Sequence, residues 1–287
     1  MISTSRRSID AGVFIRLADP SVPFIRYALI AGLLSSLSFG IIGSFVVVKR
    51  ISYIAGAISH AALAGIGAAL FFQFKFETAS ISPLLGAVAA ALLAALIIGI
   101  VSIRYSERED TIIGTIWAIG MAIGLLFIAR TPGYVDPMSY LFGNILLVGK
   151  QELILIILLD LVVVAVGVLF YQQFLALSFD EEFTRLRGIR THLYYILLIF
   201  LVALTVVLMV TVVGIVMVIA LLTIPAATAG LFAKKLWQMM ILAAVLCALF
   251  TVVGLGTSYV LDLPSGSTTI VVAGGFYLTA LLLRGFK

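Results

Sequence analysis

Residues His192–Ala233 read HLYYILLIFLVALTVVLMVTVVGIVMVIALLTIPAATAGLFA, a single apolar run. It is about twice as long as the ~20 residues that cross roughly 30 Å of hydrocarbon, so it has to fold back on itself. Thr211 and Gly214 stand near its middle and mark the expected reversal. Working outward, runs of span length precede it at Phe24–Val48, Ser52–Phe72, Ser82–Ile103, Thr111–Ala129 and Gln151–Phe170, and follow it at Met239–Val260 and Ser267–Leu283. The reading is an all-α polytopic transmembrane bundle of nine spans, or eight if part of the long run is re-entrant. The short alternating segments of a β-barrel are missing from the sequence.

Composition points the same way. Of 287 residues, 63% are hydrophobic and 11% charged, with a mean hydropathy of +1.26. A soluble domain carries about 25% charged residues, so this chain has too few to cover a water-facing surface. That deficit excludes a soluble enzyme, a nucleic-acid binder and a disordered chain, and makes lipid the main surrounding. The single cysteine allows neither an internal disulfide nor a cysteine-based zinc cluster.

The net charge of +5 speaks of topology. Counting nine spans, Lys49–Arg50, Arg104 with Arg108, Arg185–Arg187–Arg190, Lys234–Lys235 and Arg284 with Lys287 all fall on one side, the expected cytoplasmic one. The N-terminal tail, with Arg6, Arg7, Arg16 and Arg26, then lands outside and breaks the rule, which keeps eight spans in play. Residues 1–23 read as an interfacial segment and 24–287 as the membrane domain. Asp10, Arg16 and Asp19 interrupt the apolar core that a targeting signal would need.

The chemistry of an autonomous pump is missing. Gly143-Asn-Ile-Leu-Leu-Val-Gly149-Lys150-Gln151 imitates a phosphate loop, but its glycines are one residue too far apart and no Ser/Thr follows the lysine. With two histidines, His60 and His192, a His-rich metalloenzyme site is out of reach, so no catalytic residues and no resident cofactor are expected. Gly65-Ile-Gly67 and Gly254-Leu-Gly256 read as close-packing sites in apolar spans.

The stretch Ser178–Arg190 is a polar island. Ser178 and Glu181 have capping-box spacing, acids crowd the first turn, Arg185 and Arg187 the last, and Gly188 is placed to end the helix. Phe179, Phe183 and Leu186 fall at i, i+4 and i+7. A helix of about nine residues, roughly 14 Å long, should therefore lie along the cytoplasmic surface. Its stripe suits a lipid interface and a partner's groove equally well.

Ionisable groups within spans are functional candidates by default. His60 shares its helical face with Gly56, Ala64 and Gly67, which leave space beside the imidazole and also let another helix approach closely. It is either hydrogen-bonded to another helix or handles an ion or proton. Asp160 sits mid-span without a charged neighbour and is a weaker candidate for the same path. Pro225 breaks helical bonding within its span, as a static kink or a hinge, and Thr223 and Thr228 are placed to satisfy the freed carbonyls.

Together these pieces resemble the permease subunit of the ABC importers that carry zinc, manganese or iron, over Phe24 to the C-terminus. The residues that carry the likeness are Gly43-Ser-Phe-Val-Val-Val-Lys49-Arg50, Ile58-Ser59-His60-Ala61 with Gly65, Phe179-Asp180 with Glu182 and Gly188, Gly214, Ala220-Leu-Leu-Thr-Ile-Pro225-Ala-Ala-Thr228-Ala, and Leu263-Pro264-Ser265-Gly266.

The resemblance implies a multi-pass protein of the bacterial inner membrane with a type II importer fold. It implies a homodimer or a pair with a sister permease, a cytosolic ABC ATPase that burns the ATP and grips the coupling helix, and an extracytoplasmic metal-binding protein. His60 is the candidate for the ion's path, and a metal bound there would need ligands from elsewhere or be held only transiently. Many members of that family have Asp four residues before the histidine and Pro at the position of Ala64; here Gly56 removes half of an i, i+4 Asp/His pair. Its loss leans toward zinc over manganese, because oxygen ligands suit manganese. The alternatives are a permease for a metal chelate and a self-sufficient secondary transporter or channel using Asp160 and His60.

Overall fold

The computed structural model describes residues 23–76, 82–104, 109–132, 137–143, 145 and 148–285. Of the tail read as an interfacial segment, all but Pro23 lies outside the described residues, as do Arg108 and Lys287. Among the described residues all regular structure is helical: α1 Pro23–Val48, α2 Ser52–Phe76, α3 Pro83–Arg104, α4 Glu109–Arg130, α5 Pro137–Phe142, α6 Lys150–Leu169, α7 Tyr171–Phe179, α8 Glu181–Leu186, α9 Thr191–Val213, α10 Ile215–Phe232, α11 Leu236–Leu261 and α12 Ser265–Gly285. Nine of them, all but α5, α7 and α8, are long and apolar enough to cross a membrane. The nine-span reading holds over the eight-span alternative.

The long apolar run divides at Gly214, whose φ of 85° and ψ of 161° separate α9 from α10. Few residues other than glycine adopt that conformation without strain. Its partner is Gly143, also at positive φ, in the loop that imitated a phosphate site. A Cβ on Gly214 would lie 2.3 Å from the Gly143 nitrogen, and one on Gly143 would lie 2.2 Å from the Val213 carbonyl carbon. Backbone thus packs on backbone at the reversal.

The two ends of the bundle differ in chemistry. At one end the α1–α2 turn, the end of α3, the start of α4, α8 and the start of α9 line a cavity of about 580 Å³, with Lys49, Arg50, Asp110, Glu181, Arg185 and His192 in its wall. At the other, the Gly143 loop meets Gly214 and Gly266. Alternate connections therefore gather at alternate ends, as an up-and-down bundle of nine crossings requires, and the charged end is the cytoplasmic one by the positive-inside rule.

The most buried helix is α2, which lies between α3 and α4. In lipid the hydrophobic effect does little to join helices, so close packing of small residues takes over. At the α2–α3 crossing a Cβ on Gly65 would meet the Gly86 carbonyl oxygen at 2.0 Å, and one on Gly86 would meet the Gly65 oxygen at 2.3 Å. The second half of the bundle, α1 with α10, α11 and α12, packs on α2 and α3 through the buried α9 and through α10.

Gly214→Ala should lower stability by about 1–3 kcal/mol, the usual range for forced backbone strain. Gly274→Ala, with nothing within 4 Å of the added carbon, should leave stability unchanged or slightly raised. Thermal unfolding of the two variants in detergent checks this; equal melting temperatures would refute the account of the reversal.

Candidate functional site

His60 points inward from α2 and is 8% exposed. The space expected beside it is taken. The indole of Trp117, from α4, stacks on the imidazole with ring centroids 4.8 Å apart and planes inclined by 26°. The His60 Nδ1 is buried without a hydrogen-bond partner. One turn earlier on α2, Gly56 provides the seat: a Cβ there would lie 2.2 Å from Trp117 Cζ3 and 2.6 Å from Cη2. The neighbouring hydroxyl of Ser59 is turned back to donate to the Ala55 carbonyl at 2.8 Å.

Asp160 does not join this site. Its carboxylate, 6% exposed, accepts a short hydrogen bond from the Ser38 hydroxyl of α1. The helix that carries it, α6, packs chiefly on α1 and α9. A buried carboxylate needs a donor, and Ser38 supplies one across the helix pair. Among the described residues no group of three or more His, Cys, Asp or Glu side chains is placed to hold a metal ion. An ion at His60 would therefore lack a ready-made cage of protein ligands.

Pro225 lies in the middle of α10, which continues through it. The carbonyl freed by a proline belongs to the residue four positions earlier, here Leu221. The expected rescue by the two threonines does not occur: Thr223 donates to the Ile219 carbonyl at 2.7 Å and Thr228 to that of Ile224 at 2.8 Å. Both back-bond within their own turns.

The polar island is built differently from its expected form. Ser178 does not cap a helix; it lies in the last turn of the preceding one, its hydroxyl donating to the Phe174 carbonyl at 2.7 Å. The break falls at Asp180, in extended conformation with φ −151°. Helix α8 then runs for 6 residues, and Gly188 follows at φ 77° with its N–H donating to the Arg185 carbonyl.

Phe179 and Leu186 sit on two different helices, yet both stand in the open, 71% and 86% exposed. Asp180 and Glu182 are exposed beside them. The side chain of Phe183 lies outside the described residues.

This knob is braced by Lys49, a residue read from the sequence as a topology charge and as part of the Gly43–Arg50 motif, with no partner foreseen. Its Nζ donates to Glu181 Oε2 at 2.6 Å and to the Leu177 carbonyl at 3.2 Å, and lies 5.7 Å from the Tyr195 ring centre. Lys49 is presented by the turn that ends α1. Arg50, at φ 61°, takes the left-handed position, and the N–H groups of Ile51 and Arg50 return to the Val46 and Val47 carbonyls. This is the Schellman pattern, with Arg50 where glycine is usual.

The sequence offered little to single out Trp117, Lys49 or Ser38. Trp117 is one of two tryptophans, a weak signal, and the other two matter through partners far away in the chain.

A polytopic helical bundle with a buried intramembrane histidine and an exposed apolar knob at its charged end defines a membrane transport protein. The chain belongs to the ABC 3 transport family, whose model matches residues 21–284. A Chlamydia trachomatis protein named "Probable metal transport system membrane protein" is 40% identical over 91% of this chain and 89% of its own length. A Listeria monocytogenes protein named "Manganese transport system membrane protein MntC" is 32% identical over 90% of each. Among solved structures, PsaBC from Streptococcus pneumoniae in complex with Fab superimposes with a TM-score of 0.80 at 29% identity, covering 94% of each chain.

Asp160→Asn, which keeps an acceptor for Ser38, should retain stability and transport, whereas Asp160→Leu should lower the melting temperature. An Asp160→Asn variant that is well folded but transports nothing would put the carboxylate back in the ion's path.

Proposed function

We propose that the chain is the membrane-spanning permease of an ATP-driven importer for a divalent transition-metal ion, received from an extracytoplasmic binding protein. The ion crosses the membrane beside His60, and a separate cytosolic ABC ATPase grips the knob formed by the end of α7 and α8. The observation that carries this reading is the knob: Phe179 and Leu186 are exposed on a short segment whose root is tied down by the Lys49–Glu181 ion pair. A lipid-facing segment has no need of such a brace, while a lever does. Glu182, Asp180 and Gly188 complete it.

A second permease, identical or sister, fits against α4. That helix packs on α2 and leaves a face of small and hydroxylated residues open: Thr111, Thr115, Ala118 and Ala122 are all exposed. Small residues at helical spacing allow close approach of another span, and α4 is the helix that brings Trp117 to His60. The pathway then runs between the two permeases. Imidazole ligation favours zinc over manganese, while the relatives named above are named for metal or manganese transport.

Expression of the chain with its ATPase and binding protein should confer uptake of zinc, manganese or iron, and deletion of the chain should abolish it. The purified chain alone in liposomes should be inactive. Leu186→Asp should cut co-purification of the ATPase by about tenfold, the equivalent of about 1.4 kcal/mol, with the permease still inserted and folded. Metal uptake unchanged on deletion would overturn the metal assignment. Full ATPase capture by the Leu186→Asp variant would overturn the knob's role.

A further inference from the structure

We propose that Trp117 is the plug that closes the ion's path at His60, and that the path opens when its indole rotates off the Gly56 notch. The inference deepens the permease reading and rests on it. Several observations combine. The indole covers one face of the imidazole at 4.8 Å. Its six-membered ring lies where any side chain at position 56 would be, since Cζ3, Cη2 and Cε3 are 2.2, 2.6 and 3.1 Å from a Cβ built there. The seat exists only because residue 56 is glycine.

The helices on either side are pinned. One turn on from Trp117, a Cβ on Gly120 would lie 2.8 Å from the Ala61 Cα and 3.1 Å from the His60 carbonyl carbon. A further turn on, Gly124 meets the Leu63 backbone equally closely. Backbones in such contact leave α4 little freedom to slide on α2, so the cheaper local motion is rotation of the indole. Trp117 is half-buried, so its ring is not fully enclosed by protein.

The closed state also leaves something undone. The Nδ1 of His60 is buried and unpartnered. An unsatisfied buried polar atom costs stability, and a group of this kind at a functional site calls for an explanation. A divalent transition-metal ion supplies one: an imidazole nitrogen kept out of hydrogen bonds remains available as a ligand. An apolar ring stacked over the imidazole excludes water, and apolar constrictions close pores by dewetting. Plug and ligand are thus stacked on each other, and an ion that reaches the histidine has to displace the tryptophan.

The test uses the complete transporter, with ATPase and binding protein, in liposomes, and zinc and manganese as probes. Trp117→Ala should raise ATP-independent metal leak by about tenfold or more, equivalent to about 1.4 kcal/mol off the barrier. Trp117→Phe should restore closure, and Gly56→Ala should leak in the same direction by unseating the ring. A Trp237→Phe background leaves Trp117 as the chain's only tryptophan. There its emission and its quenching by acrylamide should differ between the nucleotide-free complex and one locked with a non-hydrolysable nucleotide. A folded Trp117→Ala transporter as tight as the wild type overturns the plug. Should that variant fail to fold, identical Trp117 quenching in the two nucleotide states overturns it instead. A wild-type complex that moves no metal overturns the permease reading, a separate result.

Discussion

Helix α2 is held at backbone distance on two sides, by α3 through Gly65 and Gly86 and by α4 through Gly67, Gly120 and Gly124. The rest of the molecule depends on this constraint. Within a bilayer, lipid tails are as apolar as the side chains they replace, so association rests on contact area and on polar bonds between helices. Glycines convert that requirement into a short interaxial distance, and a short distance lets an indole from one helix reach the imidazole of the other. Larger residues at those positions would part the helices, and His60 would face lipid or water instead of Trp117.

A second linkage runs from the cytoplasmic end. Lys49 ends α1, bonds the root of α8, and is followed three residues later by the first residue of α2. His60 lies about eight residues into α2, roughly 12 Å along its axis. A displacement of α8 therefore acts on the turn joining α1 to α2, and α2 is the helix that carries the histidine. Because α1 also packs on α10 and α11, and is bonded to α6 through Ser38 and Asp160, the same turn is tied to both halves of the bundle. Rigid helices joined by a charged knot are suited to transmitting a push, which a lipid-anchored loop would absorb.

What was legible in the sequence follows from which constraints are local. Hydrocarbon thickness sets a run length, so the spans, and even the division of the long run at Gly214, can be read from residue order alone. Gly188 as a helix terminator is local too, and the structure has it at positive φ. The capping box at Ser178 failed because the same serine can satisfy itself inside a helix by bonding the carbonyl four residues back. Which option wins depends on where Phe174, fully buried against Phe45 and Tyr194, anchors the preceding helix. Asp160 and Lys49 were visible as charges, but their partners, Ser38 and Glu181, lie more than a hundred residues away. Trp117 is the extreme case: nothing in the run Ile116–Trp117–Ala118 announces that its ring faces a histidine on another helix.

The same packing gives a physical reason for the oddest feature of the histidine segment. Gly56 stands where a carboxylate, one turn before His60, would complete a chelating pair on one helical face, as in many permeases that the segment resembles. In this fold that volume is not empty; it is occupied by the edge of Trp117. A carboxylate and the indole cannot share it. Glycine at 56 and tryptophan at 117 are therefore a single structural choice. It exchanges a charged ligand, which would hold a cation in the membrane, for an apolar ring, which in the proposed mechanism holds the passage shut and leaves imidazole as the ligand nearest that point. On the proposed path, an ion meeting such a site would be bound weakly and briefly. Brief binding suits a conduit, because an ion held tightly halfway across has no easy route onward.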